Sequence, residues 1–327
     1  MDTIWMIKTR GDPLSAIRLF LYNLWFQIDL DGIILPFYRE GETDLKPRLA
    51  REPVELLSAD PFLPVVSFNA ARLVAELNED HPGAYFGAVL RACEVRALES
   101  LTRLSLFNPE RWLIIGIDCL ASYTLEDFEW RLQRTRISEC LSREMLHFAR
   151  QGGIAPYRYR KACQMCSSPF SREVDLNLGL LGMPVKKFIL IQARDEETAA
   201  RCGLNKLAGI PANSSLLEGR ERVLAAVTRR RISTREWVMG TLDSELPRDA
   251  GGLKALLESC APCQECLRAC PIYSRLIAGM SNGISGSIDR FTCWLSSCAA
   301  CGMCEQACPR HLPLTALIGQ ISRNLVH

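Results

Sequence analysis

Apolar runs and helical stripes alternate along the first two thirds of the chain. Asp12-Pro13 offers a helix start with proline at its first position, and the spacing of 14–26 predicts a helix that ends before Gly32. Residues 32–37 (GIILPF) then read as a short buried strand and 63–68 as a second, followed by an amphipathic helix over 70–77. The best patterned stretch comes next. Residues 85–90 (YFGAVL) predict a strand, 94–104 a helix opened by Glu94, and 112–117 (WLIIGI) another strand ending in Asp118-Cys119. Continuous apolar strands joined through a helix predict a parallel sheet covered on both faces. Ligands collect at the carboxyl ends of such strands, where Cys93 and Cys119 both fall.

Beyond this unit, 124–151 has amphipathic helical spacing, and 158–161 is a basic turn leading into Cys163-Gln164-Met165-Cys166. Residues 174–181 and 187–192 predict strands that close the domain, and an arginine-rich helix over 216–237 leads away from it. The turn-rich segment GTLDSELPRDAGG marks a boundary, giving domains at 1–240 and 241–327. The flanks at 253–258, 274–280 and 314–325 have helical spacing, and twenty-seven residues lie between Cys270 and Cys298. The expected fold is an α/β domain with a mostly parallel sheet, followed by a small, mainly helical two-cluster ferredoxin-like domain.

The chemistry is concentrated in that second part. The run C-x2-C-x2-C-x3-C-P occurs twice, at Cys260, Cys263, Cys266, Cys270-Pro271 and at Cys298, Cys301, Cys304, Cys308-Pro309. Three closely spaced thiolates wrap one cubane, and the fourth, stopped by proline, reaches the other cluster, as in two-cluster ferredoxins. The expected ligand sets of two [4Fe–4S] clusters are therefore Cys260, Cys263, Cys266 with Cys308, and Cys298, Cys301, Cys304 with Cys270. Zinc prefers paired C-x2-C or Cys/His mixtures, and a disulfide framework does not suit so long a chain without a secretory signal. Electron transfer is the function this pattern points to.

Composition narrows the partners. Of 327 residues, 39 are Lys or Arg and 37 Asp or Glu, with no block of like charge, which argues against nucleic acid as the partner. The apolar stretch 17–37 carries Arg18, Asn23, Gln27, Asp29 and Asp31, so it suits neither a membrane span nor a signal core. A cytoplasmic protein is expected. The fifteen cysteines fit that setting if most hold metal.

Outside the two runs lie Cys93, Cys119, Cys140, Cys163, Cys166, Cys202 and Cys293. A C-x2-C pair with two cysteines at neighbouring strand ends can supply four thiolates, but spacing alone leaves a third cluster, a zinc site and ordinary buried cysteines all open. Cys140, Cys202 and Cys293 read as packing or surface residues, and the four histidines show no metal-ligand spacing.

The segments GAVLRACEVRALESL (87–101), LIIGIDCLASYTLEDF (113–128) and ACQMCSSPFSREVDLNLGLLG (162–182) resemble the beta subunits of deazaflavin-coenzyme-reducing hydrogenases and formate dehydrogenases. That family carries, in this order, a P-C-x-[IV]-x-A-L turn, a G-[LI]-x-C turn and a C-x2-C followed by an A-D-[IL]-x-[IVL]-G strand. The resemblance covers roughly 15–195. It implies FAD beside a third [4Fe–4S] cluster on Cys93, Cys119, Cys163 and Cys166, and hydride exchange with a soluble carrier, the deazaflavin coenzyme or NAD(P)H. Ala92 stands where the family has proline, and Ser167-Ser168 where it has an acidic residue. The C-terminal module resembles helical ferredoxins fused to, or partnered with, heterodisulfide-reductase-type complexes. The partners so implied are other redox subunits of formate dehydrogenase, hydrogenase or heterodisulfide-reductase type.

A flavin is the chemical link such a layout needs, since a hydride carries two electrons and a cluster passes one. No G-x-G-x-x-G fingerprint is present. Candidate flavin contacts are Asn69 and Arg72 after the strand expected at 63–68, with Arg91, Arg96 and Asp118 flanking the strand-end cysteines. The alternative is a flavin-free iron–sulfur adaptor linking two redox partners.

Overall fold

The computed structural model describes residues 3–38, 45–153, 158–242, 244–260, 262–278 and 290–326. Its strands are β1 (Ile4–Lys8), β2 (Gly32–Leu35), β3 (Arg48–Ala50), β4 (Phe86–Arg91), β5 (Trp112–Ile117), β6 (Leu176–Gly179), β7 (Phe188–Ala193) and β8 (Ile210–Pro211). They form one sheet in the order β3-β2-β4-β5-β6-β7-β1-β8. The centre, β2-β4-β5-β6, is parallel. The flanks pair antiparallel. Every residue of β4 is buried, as a central parallel strand covered on both faces requires.

Helix Pro13–Ile28 forms where expected. Asp12 caps it by accepting from the Ser15 N–H at 3.2 Å, and Asp29 closes it in the left-handed region at φ 54°. Its Leu14, Ile17, Leu21 and Leu24 are buried in one core layer with β1, β5, β6 and β7. A second layer joins Val74, Leu90, Val95 and Leu98 to Leu253, Ile272, Trp294, Leu317 and Ile318. The C-terminal helices therefore share a continuous apolar core with helices Ala70–Asp80 and Ala92–Arg103. Among the described residues this C-terminal part contains only helices, from Ala250–Ser259 to Leu314–Val326.

Three expectations change in detail. Residues 63–68 are no strand, because their carbonyls are claimed by partners other than a neighbouring strand. Arg91 Nη2 donates to Leu63 O (2.5 Å) and Val65 O (3.2 Å), Tyr123 N to Pro64 O (2.8 Å), and Gln306 Nε2 to Val66 O (3.0 Å). The helical stretch over 124–151 breaks into Leu125–Thr135 and Ser138–His147, with Arg136 at φ 57° between them. Edge strands β3 and β8, and β1 beside β8, add pairings that their short, unpatterned sequences do not announce. The end of the expected 274–280 helix, at Met280, and Asp243 within the boundary segment lie outside the described residues.

Candidate metal centres

Strand register builds the first cysteine group. Arg91 and Ile117 are paired at the carboxyl ends of β4 and β5, and Cys93 and Cys119 each follow two residues later. Cys93 opens helix Ala92–Arg103, whose capping box joins the Arg91 N–H to Glu94 Oε2 at 2.8 Å. The Cys119 N–H donates to Pro169 O at 2.6 Å, which ties the loop after the C-x2-C pair to the end of β5. Cys163 lies on the short helix Lys161–Gln164, and Cys166 follows it. Cys119 lies within electrostatic reach of Cys163, Cys166 and Cys93. We refer to these four as the sheet-end set.

The two C-terminal runs exchange their fourth members. Cys266 senses Cys308 together with Cys260 and Cys263. Cys304 senses Cys298, Cys301 and Cys270. The inner set (Cys270, Cys298, Cys301, Cys304) lies against the sheet-end set. Arg160 Nη2 donates to Cys301 O at 3.0 Å, and Arg96 donates to Ala299 O through Nε (3.2 Å) and to Ser168 O through Nη1 (2.8 Å). Gly302, at φ +70°, packs so tightly on Ala162 that a β-carbon there would overlap the alanine methyl. The outer set (Cys260, Cys263, Cys266, Cys308) is the one beyond it, with Arg310 Nη1 3.1 Å from Cys260 Sγ.

These groups suit iron–sulfur cubanes. Burial pushes thiol pKa values upward, to about 12 at Cys298 and about 11 at Cys270 and Cys119. Such thiols need a cation to ionise. N–H groups already aim at several sulfurs: Trp294 Nε1 at Cys270 (3.2 Å), the Tyr273 N–H at Cys270 (3.5 Å), the Ala300 N–H at Cys298 (3.4 Å) and Arg96 Nη2 at Cys166 (3.6 Å). Hydrogen bonds of this kind tune cluster potentials. At Cys166 burial is outweighed by Arg96 and Arg231, and the thiol pKa falls. Among the described residues no three His, Cys, Asp or Glu side chains converge on a single metal ion. Cys140 is exposed, Cys202 is in the core, and Cys293 is half-buried on helix Arg290–Ser296.

The five side chains proposed as flavin contacts have partners inside the protein. Asp118 accepts from Arg220 and from the N–H groups of Leu180 and Leu181. Arg91 holds Leu63 O and Val65 O, and Arg96 braces the cysteine loops. Arg72 pairs with Glu76 and donates to Arg268 O. Asn69 caps helix Ala70–Asp80, and its buried amide nitrogen, without a partner of standard hydrogen-bond geometry, lies toward the Cys301 sulfur. Small cavities of about 20 and 10 Å³ touch Cys119 and Cys163. A larger one of about 330 Å³ is lined by Thr124, Arg160, Lys161, Gly302 and His311. Another, of about 570 Å³, opens by Trp112 and Asp175, at the amino ends of β5 and β6.

Arg231 and Trp294 lie beside the cysteine groups without a signal in the spacing, whereas Arg160 is visible as part of the basic turn at 158–161. Arg231 is hidden in the run Arg229-Arg230-Arg231, and only the helix Ser214–Gly240 shows which of the three turns inward. No protein-family model and no curated protein matches the sequence. Among solved structures the fold is similar to a chain of the F420-reducing [NiFe] hydrogenase complex from Methanosarcina barkeri, at a TM-score of 0.50 and 13% identity, over 71% of this chain and 90% of that one. At that identity the likeness is one of fold. No helix among the described residues is long and apolar enough to cross a membrane.

Proposed function

We propose that the chain is an iron–sulfur electron-relay subunit of a larger redox complex, with [4Fe–4S] clusters at the sheet-end, inner and outer cysteine sets. The observation that supports this reading is the seating of the Cys301–Gly302 turn on the Arg160–Cys163 segment, which brings the inner set against the sheet-end set. Clusters supply one-electron storage; the protein fixes their order, shields them from water and presents the outer set to a partner. Fold similarity to a hydrogenase-complex chain supports a place among other redox subunits of hydrogenase, formate dehydrogenase or heterodisulfide-reductase type.

The resemblance also implies FAD and a hydride carrier. Because the candidate contacts already hold protein partners, with only the Asn69 amide nitrogen outside standard hydrogen-bond geometry, we favour the flavin-free adaptor that links two one-electron partners. Cysteine variants of anoxically purified protein test the relay. Cys163→Ser should lose about four irons, one cubane, and Cys140→Ser should lose none. Equal iron in both would remove the sheet-end cluster from the account. Acid extraction that releases one flavin per chain would overturn the flavin-free form.

A further inference from the structure

Buried cations are distributed unevenly over the three sets. Four arginines approach the sheet-end sulfurs or their neighbour set: Arg91, Arg96, Arg160 and Arg231. Arg91 is balanced by Glu94, whose carboxylate holds its N–H and stands 3.9 Å from its guanidinium. Arg160 lies beside Cys301, but that inner set also carries Glu305, whose charge opposes it at Cys304. Arg96 and Arg231 remain. Arg96 Nη2 is 3.6 Å from Cys166 Sγ, and its other donors are spent on the carbonyls of Ser168 and Ala299. Glu99, one turn further along its helix, is shared with Arg103. Arg231 is buried and lines the small cavity that Cys163 closes, approaching from the long helix on the other side. Arg96 also bears on Cys298 and Cys301 of the inner set, but it touches sulfur at Cys166, and Arg231 bears on Cys119 and Cys166 from the opposite helix.

Resting on the relay reading, we infer that Arg96 and Arg231 make the sheet-end cysteine set the electron sink of the chain. A cubane bound by four thiolates is anionic and becomes more so on reduction, so a fixed positive charge favours its reduced form. Low local dielectric magnifies that preference at a buried site. One electron supplied by dithionite through mediators enters the chain and comes to rest at the sheet-end set. The donor is oxidised by one electron, and no bond forms or breaks. An electron donated at the outer set would then pass through the inner set toward the carboxyl ends of β4 and β5.

Potentiometric titration of the full chain, followed by electron paramagnetic resonance, tests this. Cys163→Ser identifies the sheet-end signal by its loss. In the unaltered protein that signal should appear at a higher potential than the inner set's. Arg96→Gln and Arg231→Gln should each lower the sheet-end set's share of the first electron about tenfold, which is about 59 mV for a one-electron couple. Arg96→Lys, keeping the charge, should restore most of the shift, which a purely structural role would not. A sheet-end potential at or below the inner one in the unaltered protein overturns the inference, whether or not the variants assemble. So does an unmoved potential in both Gln variants. Either result with full iron content would leave the relay itself standing; absence of iron would remove both.

Discussion

Asp118 and Arg220 form a buried two-point ion pair, with guanidinium nitrogens 2.5 and 3.1 Å from the carboxylate oxygens. Asp118 also accepts from the N–H groups of Leu180 and Leu181, so one carboxylate joins the end of β5, the end of β6 and helix Ser214–Gly240. Cys119 is the next residue. The pair therefore positions a strand-end cysteine by fixing the backbone before it.

Removing one member should be costly. Asp118→Asn leaves the Arg220 charge buried without its counter-ion and should destabilise the fold by about 3–5 kcal/mol. Replacing both, as Asp118→Asn with Arg220→Met, should cost less than the single change at Asp118. Denaturant unfolding of the single and double variants measures the difference. Equal losses would mean that the pair contributes nothing beyond packing.

Gly302 gives a prediction with a built-in control. Alanine at Gly302 meets both a left-handed backbone (φ +70°) and the Ala162 methyl, whereas Gly209 has a similar φ (+76°) and open space around it. Gly209→Ala should cost about 1–2 kcal/mol, from backbone strain alone. Gly302→Ala should cost more, and should loosen the inner set from the sheet-end set. Thermal unfolding compares the stabilities, and the spin coupling between reduced clusters reports the contact. Matching losses at both glycines would show that the turn tolerates separation.

Asp60 should give the fold an acid-side stability. Burial raises its pKa from 3.8 to about 6, against hydrogen bonds from Ser142 and the Phe62 N–H and the charge of Arg18. The folded state therefore holds a proton that the unfolded chain has already released in this range. Stability from this group is fully present below pH 3.8 and is lost as pH rises through about 6. Between pH 5 and 7 the loss should be about 1 kcal/mol. Asp60→Asn should flatten the slope in denaturant unfolding over that range. A slope unchanged by the substitution would assign it to other groups.

The parallel centre of the sheet was legible because β4 and β5 are unbroken apolar runs bounded by turn residues. The crossed grouping of Cys270 and Cys308 is an expectation of the repeated motif, in which proline fixes where each run stops. Residues 63–68 were misread: apolar content resembles a strand, but Pro64 and the demands of Arg91, Tyr123 and Gln306 on its carbonyls take the backbone away from pairing. Arg96 was visible as a residue beside the cysteines, yet its contacts with Ser168, Ala299 and Cys166 join segments far apart in sequence. Only tertiary packing shows that it faces sulfur. Arg231 left no local signal, because helical phase, not residue type, separates it from its neighbours.

The most direct measurement is metal content. Protein purified without oxygen should carry about 12 irons and an equal amount of acid-labile sulfide per chain, four of each for every cubane. Zinc in place of iron, or protein that folds fully with its cysteines metal-free, would contradict the account.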